Sequence, residues 1–154
     1  MLYLIVAKSK NNVIGKDNEI PWKSKEDMTW FRLVTEGHPA FMGYNTFLSI
    51  GHSLPKRTNY LLKTPETKEQ REIQIYIEDQ IEELIKDPGK IIFCIGGAST
   101  YEKYINRASK LFVTEIQEEV TGDTFFPEIP ENFVEKISMR TQEEGLKITI
   151  YESK

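Results

Sequence analysis

Asp27 is the residue whose position holds most chemical promise. Counted along a helix, Trp30 lies at i+3, Phe31 at i+4 and Val34 at i+7, so the carboxylate shares the stripe that should face the core. A carboxylate there is costly unless something pairs with it. One reading is a first-turn aspartate that assists the helix cap and dipole. The other is a carboxylate at the floor of an apolar cleft, accepting two hydrogen bonds from a flat amino-amide ring. Desolvation there would raise its pKa towards proton transfer near neutrality. Gly43 and the pair Gly96-Gly97 each follow an apolar run and precede a helical stretch, where bare backbone lets a phosphate approach amide N–H groups. Two such places suit the separated phosphates of a dinucleotide, although a glycine after a strand is often only a turn. Lys63 and Thr64 add a cation and a hydroxyl at a third strand end, leaning towards a 2′-phosphate.

The elements that must position these residues follow from periodicity. Residues 2–7 are a continuous apolar run, expected as a strand covered on both faces. Residues 9–24 are mostly polar, but Val13, Ile14, Ile20 and Trp22 within them favour a functional loop. Ser24 supplies an N-cap with Asp27 three residues on, and a helix runs to about Glu36 before Gly37 and Pro39 stop it. A short strand over 40–42 leads to a helical stretch over 44–50, with Asn45 or Thr46 near its cap and Gly51 after its end. Strands are expected over 59–63 and 73–77, then an amphipathic helix over 79–86 closed by Asp87-Pro88-Gly89. A buried strand over 91–95 precedes Gly96-Gly97 and a helix to about Arg107. Strands over 110–116, 133–139 and 146–151 close the chain, the last two joined through Glu143-Glu144-Gly145. Strand-helix alternation followed by a late hairpin predicts one α/β domain over 1–154, a mainly parallel central sheet with an antiparallel C-terminal strand and helices on both faces.

Composition narrows the function classes. A chain of 154 residues, 39% hydrophobic and 29% charged, is long enough for a core and a ligand cleft. Twenty basic against 24 acidic residues give a net charge of -4 with no basic block, which argues against nucleic-acid binding. The apolar run at 2–7 is too short to span a bilayer and lacks the flanks of a secretory leader, so a cytoplasmic protein with no membrane partner is expected. Cys94 is the only cysteine and lies among apolar neighbours, so it is expected to be buried and inert. His38 and His52 are isolated, and no metal site is expected.

In order and spacing, Ala7, Val13-Ile14-Gly15, Ile20-Pro21-Trp22, Asp27, Phe31, Met42-Gly43, Thr46, Ser49-Ile50-Gly51, Leu54-Pro55, Arg57, Ile95-Gly96-Gly97-Ala98, Tyr101-Glu102, Thr114 and Gly122-Asp123-Thr124 resemble the dihydrofolate reductase family, over essentially the whole chain. The resemblance implies an NADPH-dependent reductase that converts dihydrofolate to tetrahydrofolate for one-carbon metabolism. It would act as a monomer that also binds antifolate-type small molecules. Asp27 would bind the 2-amino group and N3 of the pterin and support protonation at N5, with Trp22 and Thr114 as its catalytic neighbours. Ile5, Val6, Ala7, Met28, Phe31, Ile50, Leu54 and Ile95 would line the substrate pocket, and Arg57 would clamp the glutamate tail with its planar fork. Ala7, Ile14, Gly15, Asn18, Ile20, Gly43, Asn45, Thr46, Leu62, Lys63, Thr64, Ile95, Gly96, Gly97, Ala98, Thr100 and Tyr101 would meet the cofactor. So would Tyr44, which stands where relatives usually carry arginine, and Ser99, which replaces an arginine found in some. The loop at 9–24 would be a lid over the nicotinamide, tethered by Asp123.

Two other readings compete. A pyrimidine reductase of flavin synthesis shares the nucleotide-binding plan, but Asp27, Phe31 and Arg57 discriminate for folate. A nucleotide-binding module without catalysis is disfavoured by Asp27, Thr114 and the lid residues.

Overall fold

Leu2–Ser9 (β1) is buried along most of its length because strands flank it on both sides and helices cover both faces. The structure is a computed structural model describing residues 1–62 and 67–154. The expectations at Lys63 and Thr64 lie outside the described residues. Around β1 stand β3 (Ala40–Gly43), β4 (Asn59–Leu62), β5 (Ile92–Cys94), β6 (Lys110–Ile116), β8 (Phe133–Arg140) and β9 (Lys147–Ser153). They form a sheet of order β4-β3-β5-β1-β6-β9-β8, parallel from β4 to β6, with β9 antiparallel to both of its neighbours. This is the predicted architecture.

Period-two alternation splits β1 between two cores. Leu2, Leu4 and Val6 pack on one face with Ile81 of α3 (Lys68–Lys86) and Tyr101 and Tyr104 of α4 (Ala98–Tyr104). Tyr3 and Ile5 pack on the other with Phe31 and Val34 of α1 (Lys25–Thr35) and Phe47 and Ile50 of α2 (Tyr44–Ile50). Each fully buried Leu or Phe in these cores contributes about 1.5–3 kcal/mol. The chain steps from β1 outward to β3 and β4, then returns to lay β5 between β3 and β1. The carboxyl ends of these parallel strands therefore meet at one edge, where open α/β sheets bind ligands.

Three expectations are corrected. Residues 73–77 belong to α3, not to a strand. Alternating isoleucines there suit either structure, but Ile77, Ile81, Leu84 and Ile85 recur at helical spacing and the preceding Lys, Glu, Gln and Arg residues favour helix. The helix over 44–50 begins one residue earlier than its expected cap: Gly43 is the N-cap, with no side-chain cap bond from Asn45 or Thr46. The polar segment at 9–24 contains a short strand, β2 (Val13–Gly15), paired antiparallel with the unanticipated β7 (Thr124–Phe125).

Candidate active site

Asp27 sits in the first turn of α1, as the Ser24 cap dictates: the extended Ser24 backbone turns into the helix and its Oγ accepts the Asp27 N–H at 3.0 Å. The Asp27 carboxyl is largely buried, and its pKa rises from 3.8 to about 6. Burial is the main cause, the Glu144 carboxylate adds to it, and the hydroxyl of Thr114 on β6 pulls in the opposite direction. That hydroxyl nonetheless makes no direct hydrogen bond. Thr114 Oγ1, Trp22 Nε1 and Trp30 Nε1 are the buried side-chain polar atoms left without a partner among the described residues. Each such group costs about 1–3 kcal/mol unless a water or ligand meets it. A carboxyl poised near neutrality can hold two N–H donors when ionised or donate a proton when neutral.

The walls beside it are apolar. Ile5 and Ile95 are buried in the same core against which Phe31, Ile50 and Leu54 are packed. Ala7, at the end of β1, pairs with Thr114 in the β1–β6 register. Val6 departs from expectation, because its side chain belongs to the opposite core and leaves only backbone for this side of the sheet. Met28 follows Asp27 on α1 and is 70% exposed. Arg57 is held by donation from Nε to Pro55 O at 2.8 Å and from Nη1 to Thr35 Oγ1 at 2.7 Å, with its guanidinium carbon 6.0 Å from the Phe31 ring centre. Asn59, which sequence reasoning missed, orders this loop by bonding both the N–H and the carbonyl of Leu54 and the carbonyl of Arg57.

The two glycine turns converge. Gly43 at the end of β3 donates its N–H to Gly96 O at 2.8 Å. A Cβ on Gly43 would come within 3.0 Å of Thr100 Oγ1, and one on Gly97 within 3.1 Å of Thr46 Oγ1. Gly43 and Gly97 are also the N-caps of α2 and α4, neither with a side-chain cap bond nor an acidic residue in its first turn. Ala98 and Ser99 continue into α4, while Tyr44 and Asn45 open α2 on the exposed side and Leu62 ends β4. Tyr101, also expected at the cofactor, is buried at the glycine cradle: its hydroxyl donates to Ile5 O at 2.6 Å, and its ring lies beside Gly96.

The lid segment is ordered by a hairpin. Lys16 and Glu19 exchange backbone hydrogen bonds around Asp17 and Asn18, both with positive φ, as a tight hairpin turn requires. Ile14 and Gly15 lie in β2, while Asn18 and Ile20 stand out in solvent, Ile20 at 57% exposure. Asp123 accepts the Asp17 N–H at 3.0 Å, which lowers its pKa, and donates its own N–H to Gly15 O at 3.1 Å. Gly122 is the tightest approach: a Cβ there would lie 2.2 Å from Val13 Cγ1 and 2.7 Å from Gly15 O. Gly122→Ala must therefore push β2 away from β7. We expect a loss of about 1–3 kcal/mol, the usual range for overpacking, together with slower turnover, measured by urea unfolding and steady-state kinetics. Unchanged stability would show that the lid base yields freely.

A largely buried carboxyl with a raised pKa, together with glycine turns that converge at the carboxyl edge of a parallel sheet, defines the class: an α/β protein with an acid-base group and a dinucleotide-type cradle. A sequence model of the family described as Dihydrofolate reductase matches residues 1–152. The dihydrofolate reductase of Haemophilus influenzae is 44% identical over 126 residues, 82% of this chain and 78% of the relative. That of Bacillus subtilis is 34% identical over 148 residues, 96% and 86% respectively. A solved structure of the Enterococcus faecalis dihydrofolate reductase, complexed with NADP(H) and RAB-propyl, superimposes with a TM-score of 0.79 at 26% identity, covering 99% of this chain and 96% of that one. The chain belongs to the dihydrofolate reductase family.

Proposed function

We propose that this chain, acting as one domain over 1–154, reduces 7,8-dihydrofolate to 5,6,7,8-tetrahydrofolate with NADPH. The observation that carries the reading is Asp27, a largely buried carboxyl whose pKa is pushed up to about 6 with the Thr114 hydroxyl acting on it from β6. Its two oxygens hold the 2-amino group and N3 of the pterin, and it supports proton delivery to N5 through water held by Thr114 and Trp22. Phe31, Ile50, Leu54 and Ile5 enclose the ring and exclude bulk water, and Arg57 meets the α-carboxylate of the glutamate tail. Flat antifolate-type molecules with the same amino edge compete for Asp27.

The glycine cradle fits a dinucleotide, because side chains at Gly43 and Gly97 would fill the space a phosphate needs. When bound, NADPH supplies the hydride that reduces the pterin at C6. Ala7, Ile14, Ile20, Ile95, Thr46, Thr100 and the starts of α2 and α4 hold the cofactor, and Tyr44 offers a ring for adenine without a charge for the 2′-phosphate. The protein works as a cytoplasmic monomer without a nucleic-acid or membrane partner. Among the described residues no helix is long and apolar enough to cross a membrane. The test is NADPH oxidation on adding dihydrofolate, followed by absorbance and repeated with NADH. Turnover with preference for NADPH is expected; binding of both ligands without turnover overturns the reading.

A further inference from the structure

The turn between β8 and β9 reaches across the molecule to the first turn of α1, and the two carboxylates there are exchanged. Glu144 Oε1 accepts the N–H groups of Lys25 at 3.1 Å and Glu26 at 3.3 Å, while its other oxygen accepts from the Ser24 hydroxyl. In return Glu26 accepts the N–H groups of Glu143 at 3.2 Å and Glu144 at 2.6 Å. Ser24 thus works in both directions, accepting from Asp27 N and donating to Glu144. Arg140 donates to Gly145 O at 3.2 Å and Thr141 Oγ1 accepts from Leu146 N at 2.8 Å, which holds the turn in shape. These bonds satisfy helix N–H groups that have no partner within the helix, and they place an anion at the positive end of its dipole.

We propose that Glu144 is a positioning residue for the reaction: by clasping the first turn of α1 through Ser24, Lys25 and Glu26 it fixes the site of Asp27 and places an anion at the start of the helix that carries it. This rests on the reading of Asp27 as the proton-handling group. The groups acting on the Asp27 carboxyl from other elements are Glu144 on the turn, which favours its protonated form, and the Thr114 hydroxyl on β6, which favours the ionised one. Burial first, and Asp27 after it, raise the pKa of the Tyr101 phenol on α4. Glu144 is the one of these that carries a charge, since burial keeps the Tyr101 phenol protonated. Glu26 adds its carboxylate on the outer side of the same turn, where Thr141 and the Glu143 and Glu144 N–H groups hold its pKa down and so keep it ionised. Glu144 acts through the helix start that it holds and through its field.

The test compares the wild-type chain with Glu144→Gln, whose amide oxygen still accepts from Lys25 and Glu26 while the charge is gone, and with Glu144→Ala, which loses both. Carbon-detected NMR titration reads the Asp27 carboxyl directly, without turnover. Its midpoint should fall by about half a pH unit in Glu144→Gln, a modest effect for a neighbouring charge partly screened by water. Single-turnover hydride transfer at pH 7.5 should fall by about threefold, that half unit expressed as a rate, and the pH–rate midpoint should move down with the titration. Glu144→Ala should show the same shift with a lower Tm. A purely structural role would lower Tm without moving either midpoint, and unchanged midpoints in folded Glu144→Gln overturn the proposal. A shifted titration with an unmoved rate profile overturns its claim on the reaction. Should the wild-type chain fail to reduce dihydrofolate, the NMR titration still decides whether Glu144 controls Asp27, so the two failures are distinguishable.

Discussion

Asp27→Asn should fold and bind NADPH, yet lose about 100- to 10,000-fold of its hydride-transfer rate at neutral pH, the range by which positioned acid-base groups assist catalysis. Two properties disappear together. The carboxyl that titrates near pH 6 becomes an amide that cannot hold or release a proton. One of its two acceptor oxygens also becomes an N–H donor, which faces a donor on the amino-amide edge of the pterin instead of pairing with it. Neither change disturbs α1, because the Asp27 backbone N–H and not its side chain completes the Ser24 cap. The deficit should shrink as pH falls below about 6, where solution supplies a substrate already protonated. Stopped-flow measurement of NADPH oxidation between pH 5 and 8 reads both effects. Wild-type turnover at neutral pH in Asp27→Asn would show that the carboxyl is only a helix-start residue.

Residues with a local signature were the ones legible in the sequence. Ser24 three residues before Asp27 marks a helix start, and the helical count to Phe31 and Val34 correctly turns that face to the core. The apolar runs of β1 and β5 identify the strands beneath the site, and glycines at their ends identify the turns. What could not be read depends on partners distant along the chain. Val6 is apolar in an apolar strand, and only the strand's phase decides which core receives it. Nothing local in the sequence pairs the Tyr101 hydroxyl with Ile5 O, 96 residues away. Glu144 lies in a polar turn of a kind common to hairpins, and its contacts depend on the backbone of Lys25 and Glu26 meeting it in space. In α3, three alternating isoleucines gave a strand signal that a longer helical pattern overrode.

The same carboxyl that serves the chemistry should weaken the fold, so Asp27→Asn is expected to be more stable than the parent at neutral pH. An aspartate whose pKa is higher in the folded chain than in the unfolded one opposes folding when it is ionised. A rise from 3.8 to about 6 corresponds to a cost of roughly 3 kcal/mol, fully present above the folded value. The cost falls as pH drops through 6, to roughly 1 kcal/mol at pH 4.5, and vanishes below the unfolded value. That rise is the net effect of the folded chain on ionised Asp27, any gain from the dipole of α1 included. Asparagine escapes the desolvation and the repulsion from Glu144, a gain of up to about 3 kcal/mol at pH 7.5. In a chain of this size that is roughly 6–12 °C in Tm. The parent keeps the less stable residue because proton transfer near neutrality requires a carboxyl held away from water, the usual tension between activity and stability. Urea unfolding of both proteins at pH 7.5 and 4.5 measures the difference, which should narrow at the lower pH. Equal stability at pH 7.5 would mean that the Asp27 carboxyl is solvated as well in the folded chain as in the unfolded one, and burial could then not be what poises it for proton transfer.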